Sequence, residues 1–191
     1  MIYLLGGAAR SGKSIIAKRM LAEKTIPFLC LDHLAIGTAN AFPHLQIDLD
    51  SDDASVGDKI WPLVKAVSKV IIKDRIDYLL EGAALQPKHS QELLSEFPSQ
   101  TRACFLGYAD ADVCQKFEQV RQHGGGPDDW MMQFDKSTIM KELERLKKVS
   151  EVLRLECEMY QIRYFEMSID FASSTEEVIE FLAGQNNNAV A

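Results

Sequence analysis

A glycine-rich stretch close to the start of the sequence has the residue types and spacing of a phosphate-binding loop. It runs Gly7-Ala8-Ala9-Arg10-Ser11-Gly12-Lys13-Ser14 and fits the pattern G-x-x-x-x-G-K-[ST]. In this pattern backbone N–H groups point inward at a phosphate, the lysine reaches the β- and γ-phosphates, and the hydroxyl coordinates Mg²⁺. We predict that residues 7–14 bind a nucleotide through Lys13 and hold the metal through Ser14. The alternative is a glycine-rich turn without a ligand.

The residues on either side of this loop predict a strand before it and a helix after it. Ile2–Leu5 is a short apolar run that predicts a strand ending at Leu5, with Gly6 in the turn that follows. A helix is predicted to begin at about Lys13, and the positive end of its dipole would then face the loop. This context makes the phosphate-binding interpretation much more specific than the pattern alone.

Two carboxylates follow other predicted strands. Asp32 comes directly after the apolar run Phe28–Leu31, and Glu81 comes directly after Ile76–Leu80. Both are expected at the carboxyl edge of a parallel sheet, where open α/β sheets bind ligands. The alternatives are a helix N-cap for Asp32 and a structural pair with a nearby lysine for Glu81.

Five apolar runs alternate with helical segments along the chain. Such alternation predicts a parallel sheet covered by helices on both faces. The runs are Ile2–Leu5, Phe28–Leu31, Tyr78–Leu80, Ala103–Leu106 and Ile162–Phe165.

Helices are predicted over residues 55–73, 110–122, 137–160 and 173–184. The first is expected to start in a capping box at Ser55, with Pro62 in its first turn, and the last to start at Ser173 and stop at Gly184. Residues 33–57 and 123–135 are predicted to be loops, because they are rich in aspartate and small residues or in glycine.

These features together resemble the small P-loop kinases, the group that contains nucleoside monophosphate, shikimate, gluconate and uridine kinases. The resemblance covers about residues 1–170, and Leu80-Glu81-Gly82-Ala83-Ala84-Leu85-Gln86-Pro87 is similar to a stretch of uridine kinases and 2-phosphoglycerate-kinase-like proteins. It implies an α/β P-loop NTPase fold. The sheet would have five parallel strands in the order 2-3-1-4-5, with helices on both faces and a small lid.

The resemblance also implies an activity, namely ATP- and Mg²⁺-dependent transfer of the γ-phosphate to a hydroxyl of a small molecule. Asp32 would hold or deprotonate that hydroxyl. Glu81 would face the phosphate loop and hold a metal-bound water, the attacking group or the acceptor. A lid over residues 110–135 would bring Arg121 to the phosphate, and Arg10 would add charge from the loop itself. The base would bind near residues 168–171.

The acceptor side is assigned to a loop over about residues 33–57. This segment contains Asp48, Asp50, Asp52 and Asp53 but no lysine or arginine. A phosphorylated or carboxylate acceptor usually requires arginine, so this composition favours a neutral or cationic acceptor. The alternative is an acidic surface loop far from the pocket. Trp130 is interpreted either as a lid aromatic or as an anchor that packs the loop.

Length and composition set the remaining expectations. The 191 residues predict one domain over residues 1–184 and a tail over 185–191. A net charge of −7 gives no general attraction to nucleic acid or to an anionic membrane. The four cysteines lack C-x-x-C spacing and are interpreted as buried free thiols of a cytoplasmic protein. The oligomeric state stays open.

Two other functions remain compatible with the residues. One is a regulatory or switch protein that binds ATP or GTP without a metabolite acceptor, and the other is a simple nucleoside triphosphate hydrolase. The single arginine of the predicted lid favours the regulatory protein, whereas Asp32 and Glu81 at one sheet edge favour the kinase.

Overall fold

The sheet has five parallel strands in the order β2-β3-β1-β4-β5, as the resemblance implies. A computed structural model describes residues 1–123 and 130–184, apart from the side chains of His123, Trp130 and Met132. β1 lies at the centre, paired with β3 on one side and β4 on the other. The strands are β1 (Ile2–Gly7), β2 (Phe28–Cys30), β3 (Tyr78–Glu81), β4 (Thr101–Gly107) and β5 (Arg163–Glu166).

Helices cover both faces of this sheet. They are α1 (Lys13–Lys24), α2 (Leu31–Ala41), α3 (Asp53–Lys73), α4 (Pro87–Glu96), α5 (Val113–His123), α6 (Lys136–Met159) and α7 (Phe171–Ala183), with 3₁₀ turns at Pro43–Leu45 and Trp130–Gln133. Alternate residues of β1 enter two cores because successive side chains of a strand point to opposite faces. Leu4 packs with α2 to α6, and Leu5 packs with α1 and α7.

β1 is longer than predicted, because Gly6 and Gly7 belong to the strand and not to a turn. A Cβ at Gly6 would occupy the position of the Phe105 ring, and one at Gly7 would meet the backbone carbonyl of Leu106. Gly7 also has a φ of 139°, which L side chains rarely adopt. The two glycines are therefore needed so that β4 can pack directly against the end of β1.

The predicted loop over residues 33–57 is wrong for most of its length. α2 fills residues 31–41, and α3 begins at Asp53 with Asp52 as its N-cap, since the Asp52 carboxylate accepts from the Ser55 N–H at 3.0 Å. Ser55 is therefore not the cap. Pro62 lies inside α3 and not in its first turn. It is exposed, so the carbonyl that loses its partner there can bind water.

Other helix starts shift by one or two residues because aspartates cap them. Asp135 caps α6 and Asp170 caps α7, each accepting from the backbone N–H three residues later. Ser173 is therefore not the cap of the last helix. The stop at Gly184 is confirmed, with a left-handed φ of 82°. α4 was not predicted at all.

The cysteines are only partly as predicted. All four cysteines are free, but Cys114 is exposed and Cys30 is only half-buried, so burial holds for Cys104 and Cys157 alone. Residues 124–129 of the predicted lid and the tail over 185–191 lie outside the described residues. No helix in the described part of the chain is long and apolar enough to cross a membrane.

Candidate phosphoryl-transfer site

The glycine-rich loop connects the central strand β1 to α1 at the carboxyl edge of the sheet. Its turn is fixed by two backbone hydrogen bonds, from the Ala8 N–H to the Leu106 carbonyl at 3.1 Å and from the Ser11 N–H to the Ala8 carbonyl at 3.3 Å. Arg10 and Gly12 both have left-handed backbones, with φ values of 64° and 101°. Such a conformation is uncommon for arginine and costs free energy that the surrounding structure must supply.

The N-terminus of α1 has the properties of an anion site. No side chain caps it, and its first turn contains no acidic residue. The Ser11 hydroxyl oxygen beside it is fully buried and has no hydrogen-bond partner among the described residues. Uncapped N–H groups, the positive end of the helix dipole and a buried polar atom that lacks a partner all fit a bound phosphate.

Lys13 lies deep in this loop, with only 7% of its surface exposed. Its ammonium group donates to the carbonyls of Gly7 and Ala8, both at 2.9 Å. Burial lowers the pKa of Lys13, because a charge loses hydration there, and the nearby carboxylates act in the opposite direction. Those carboxylates belong to Asp32, Glu81 and Asp53.

Glu81 is the last residue of β3 and lies beside Leu5 of β1. The Ser14 hydroxyl donates to its Oε1 atom at 3.3 Å, so the two predicted metal residues are neighbours. Glu81 is 2% exposed, and burial raises its pKa while the charge of Lys13 lowers it. The Cys30 thiol, whose pKa burial raises to about 11, also hydrogen-bonds to this carboxylate.

Asp32 reaches the same region from α2. It is the second residue of that helix, and Cys30 occupies the N-cap position, so the N-cap interpretation of Asp32 is wrong. A Cβ placed on Gly82 would lie 3.0 Å from the Asp32 Oδ1 atom. The missing side chain of Gly82 therefore leaves room for this carboxylate next to Glu81.

A cleft of about 340 Å³ opens beside Gly7 and contains functional groups that the sequence did not indicate. One wall is the start of α3 with Asp53, and the opposite wall is α6 with Arg145 and Lys148. Val149 and Leu153 of α6 contribute apolar surface. The two cations are three residues apart and therefore lie on one face of α6.

Asp53 tests whether the acidic segment over residues 33–57 belongs to the acceptor side or is a surface loop far from the pocket. Asp48 and Asp50 are exposed, whereas Asp53 is half-buried in the cleft. Burial raises the pKa of Asp53, the charge of Asp32 raises it further, and Lys13 and Arg145 lower it. The picture of an acidic loop far from the pocket is therefore wrong for Asp53. Lysine and arginine, absent from residues 33–57, come instead from α6, where Arg145 is paired with Glu142 and Glu156 also lines the cleft.

The two basic residues of α5 that precede the predicted lid glycines, Lys116 and Arg121, lie in different environments. Arg121 is exposed on α5, with its guanidinium 5.8 Å from the centroid of the Phe117 ring. Lys116 is 7% exposed and lies 4.5 Å from the centroid of Tyr108, whose hydroxyl donates to the Ala9 carbonyl at 3.0 Å. Burial lowers the pKa of Lys116. α5 is therefore linked to the phosphate loop indirectly, because Lys116 packs on Tyr108 and Tyr108 bonds to the loop residue Ala9.

The predicted base region, residues 168–171, ends at the first residue of α7. A Cβ on Gly12 would lie 2.7 Å from the Phe171 ring, so this aromatic side chain packs directly on the phosphate loop. Ser168 donates to the Glu166 carboxylate through its hydroxyl at 2.6 Å and its N–H at 3.1 Å. The Trp130 side chain lies outside the described residues, so its two interpretations stay predictions.

Solved structures resemble this chain over nearly its whole length. A shikimate kinase from Bacteroides thetaiotaomicron superposes with a TM-score of 0.59 at 13% identity, covering 96% of this chain and 98% of that one. A gluconokinase from Sinorhizobium meliloti 1021 gives 0.52 at 17% identity, covering 96% and 91%. An uncharacterized protein from Eubacterium ventriosum gives 0.57 at 15%, covering 96% and 98%.

These superpositions establish the fold of the chain. No protein-family model matches the sequence, and comparison with curated proteins gives no match. The chain shares the fold of these kinase structures, and its own strand order is β2-β3-β1-β4-β5. The resemblance drawn from the motifs is confirmed at the level of the fold.

Proposed function

We propose that the protein is an ATP- and Mg²⁺-dependent kinase that transfers the γ-phosphate to a hydroxyl of a small molecule. The observation that carries this proposal is the convergence of Lys13, Ser14, Glu81 and Asp32 at the phosphate loop. Phosphoryl transfer requires charge neutralisation and positioning more than covalent chemistry from the protein. The proposed activity assigns one of these tasks to each of the four residues.

The nucleotide phosphates bind in the loop over residues 7–14. The N–H groups at the start of α1 and the Ser11 hydroxyl donate to phosphate oxygens. Lys13 moves its ammonium from the carbonyls of Gly7 and Ala8 onto the β- and γ-phosphates. Arg10 adds a further charge at the mouth of the loop.

Ser14 and Glu81 would hold the metal, Ser14 through its hydroxyl and Glu81 through its carboxylate. Mg²⁺ bound there supplies positive charge to the phosphate oxygens. The described residues contain no group of three or more metal-binding side chains. That composition fits Mg²⁺, which keeps several of its own waters and takes one or two protein ligands at such sites.

The acceptor lies in the cleft between α3 and α6. Its hydroxyl end points out of the cleft toward Asp32, whose charge acts on Asp53 of the cleft wall. Asp32 accepts the proton of that hydroxyl, and Asp53 orients the same end of the molecule by hydrogen bonding. Lys148 on the opposite wall, and Arg145 when it exchanges the Glu142 carboxylate for the ligand, favour an acceptor with an anionic group at its other end. That group must also lie away from Asp52 and Glu156, which line the same cleft. The acceptor is therefore a hydroxy acid or a related anionic alcohol. This differs from the neutral or cationic acceptor that residues 33–57 alone favour.

ADP release across a panel of acceptors tests this activity. We expect hydroxy acids to stimulate ADP release more than neutral polyols or amino alcohols do. Asp32→Asn should lower kcat about 100-fold while ATP affinity changes less than threefold, because the change removes only the proton acceptor. Lys59→Gln, an exposed charge change elsewhere on α3, is the control. ADP release that no acceptor stimulates would contradict the kinase.

A nucleotide-binding regulatory protein is the second candidate. The position of Arg121 favours it, because this exposed cation lies over Phe117 and not at the phosphate loop. A kinase would then need another positive charge to neutralise the transferring phosphate. Arg121 as a catalytic residue remains a prediction. Tight ATP binding together with acceptor-independent, slow hydrolysis in wild type and Asp32→Asn alike would support the regulatory protein.

A further inference from the structure

A second cavity, of about 460 Å³, lies at the opposite edge of the sheet, where β4 begins. The first residue of β5, Arg163, pairs with Cys104, so β4 starts three residues earlier than its neighbour. Residues 101–103 therefore have β1 on one side and face the cavity on the other. Its volume is in the range of small-molecule sites. We call this space the amino-edge cavity.

Two arginines line the amino-edge cavity. Arg102 is held in place because its Nη1 donates to the Leu182 carbonyl at 2.8 Å. The Arg163 guanidinium lies 5.2 Å from the centroid of the Phe165 ring. Neither arginine forms an ion pair with a carboxylate of the described residues, although the chain carries a net charge of −7. Two guanidinium groups without counter-ions create a local positive field in an acidic protein.

A third polar group lies in the same lining. Thr101 is 3% exposed, and its hydroxyl has no hydrogen-bond partner among the described residues. A buried hydroxyl without a partner is unfavourable and rare in folded proteins. The rest of the lining is largely apolar and includes Leu94, Ile162 and Phe181.

We propose that the amino-edge cavity binds a small amphipathic anion, a carboxylate or phosphate carried on an apolar body. Arg102 and Arg163 bind the anionic oxygens by charge-assisted hydrogen bonds. Leu94, Ile162 and Phe181 contact the apolar body. This site is separate from the phosphate loop, so it does not depend on the proposed kinase activity.

α7 connects the two edges of the sheet. Its first residue, Phe171, packs on Gly12 of the phosphate loop, and its last turn holds Arg102 and lines the cavity through Phe181. An anion that fixes Arg102 also fixes the last turn of this helix. On the basis of these contacts, the proposal extends to an effector role, in which occupancy of the cavity changes nucleotide affinity through α7. Coupling of this kind is reciprocal, so the nucleotide changes anion affinity by the same factor.

Calorimetric titration of the full chain tests the site with hexanoate and phenyl phosphate as the two anionic probes. Hexylammonium has a similar apolar body and the opposite charge. Phenyl phosphate is titrated into Lys13→Ala, since the phosphate loop also accepts phosphate. We expect saturable binding of at least one anionic probe and none of hexylammonium. Response to only one probe identifies the anion as carboxylate or phosphate.

Two substitutions localise the binding. Arg163→Gln removes an exposed guanidinium and should weaken anion binding about tenfold, because one charge-assisted pair is lost. Thr101→Val keeps the side-chain shape and should weaken it about threefold. Lys59→Gln removes an exposed charge outside the cavity and should leave binding unchanged. Equal affinity in wild type and Arg163→Gln, or binding of hexylammonium, would overturn the site.

The effector role has its own readout. ATP affinity is measured with and without saturating hexanoate, in wild type and in Arg163→Gln. A change of threefold or more that disappears in Arg163→Gln supports coupling through α7. Identical ATP affinities in all four measurements would overturn the effector role.

Discussion

The N-termini of α1 and α4 are at the same edge of the sheet, yet the two sequences complete them in opposite ways. α1 follows β1 and begins without a side-chain cap. α4 follows the neighbouring β3 and begins with a reciprocal capping box, in which the Gln86 side chain accepts from the His89 N–H and His89 Nδ1 accepts from the Gln86 N–H at 3.4 Å. One helix end is satisfied internally, and the other is available to a ligand.

Further contacts hold the end of α4 in place. His89 stacks on Trp61 of α3, with ring centroids 4.7 Å apart, and its Nε2 is 2.8 Å from the Asp58 Oδ1 atom. Because Nδ1 accepts a hydrogen bond, the neutral ring carries its proton on Nε2 and donates it to Asp58. The absence of a side chain on Gly57 leaves room for the Ala84 carbonyl against α3. The comparison teaches that the two helix starts differ in whether the chain itself satisfies them, and this difference is the reason why we assign the proposed phosphate site to α1 and not to α4.

Substitution of Lys13 should give the largest effect at the open helix end. Lys13→Ala removes the ammonium that neutralises the phosphates, so we expect kcat/KM for ATP to fall about 10³-fold. Far-ultraviolet circular dichroism should show an intact fold. His89→Gln, at the closed end, is the control and should retain ATP affinity within twofold. If Lys13→Ala bound ATP as well as wild type, the phosphate-loop assignment would fail.

Substitution of His89 should give the largest effect at the closed end. His89→Ala removes the stacking on Trp61, the bond to Asp58 and half of the capping box, which together should lower the free energy of unfolding by about 3 kcal/mol. Urea denaturation measures this loss. Lys88→Gln is the matched control, because its exposed ion pair with Asp58 should contribute less than about 1 kcal/mol. Equal stability of the two variants would contradict the assigned role of His89.

Ser11→Ala should produce effects of opposite sign on stability and on binding. Without nucleotide, removal of a buried hydroxyl that lacks a partner should raise the free energy of unfolding by up to about 1 kcal/mol. ATP affinity should fall about tenfold, because one donor to the phosphates is lost. Thermal melts with and without Mg²⁺-ATP measure both quantities. A loss of stability without nucleotide would show that Ser11 is structural.

Acidification should weaken the closed end and leave a fluorescence signature. Burial lowers the pKa of His89 below its usual 6.5, although Asp58 acts in the opposite direction. The neutral form therefore stabilises the fold fully above pH 6.5, and this stability is lost as pH falls through the folded-state pKa. Protonation places a hydrogen on Nδ1, which can then no longer accept from Gln86.

Protonation of His89 can be followed by the fluorescence of Trp61, because the two rings are stacked. In a Trp130→Phe background, fluorescence of Trp61 and urea stability should decline together below pH 6.5, and His89→Gln should abolish the transition. The other charged groups that face His89 are Asp58, Lys88 and Glu92. Asp58 and Glu92 have pKa values below their usual ranges, so their effects belong to a lower pH window. The same transition in His89→Gln would assign it to another group.

The sequence was sufficient for the strands, their order and one half of the candidate site, but not for α2 and α4. Lys13, Ser14 and the end of β3 are local features, since a strand, a glycine-rich loop and a helix follow one another within a few residues. Strand order could be inferred because the loop pattern occurs in a group of similar architecture. Placement of Asp32 and Glu81 next to the loop follows from that order.

The other half depends on contacts between distant segments. Arg145 and Lys148 occur in a long helix whose charges are typical of a solvated face, and nothing nearby in the sequence associates them with Asp53. The helix over residues 31–41 was missed because Gly37, Thr38 and Asn40 weaken local helix propensity. Packing of Leu31 and Ala35 into the core overrides that preference. α4 was missed for a similar reason, because its cap uses glutamine and histidine and not the common cap residues.

The carboxylates around Lys13 have a consequence for the order in which ligands bind. One buried ammonium is surrounded by Asp32, Glu81 and Asp53, and Arg10 at the mouth of the loop offsets only part of that negative charge for an incoming polyanion. A free nucleotide is repelled by the remaining negative charge, whereas a nucleotide that already carries a divalent cation offsets it. We therefore expect the metal and the nucleotide to bind together. The apparent affinity for the nucleotide should then rise with the free Mg²⁺ concentration.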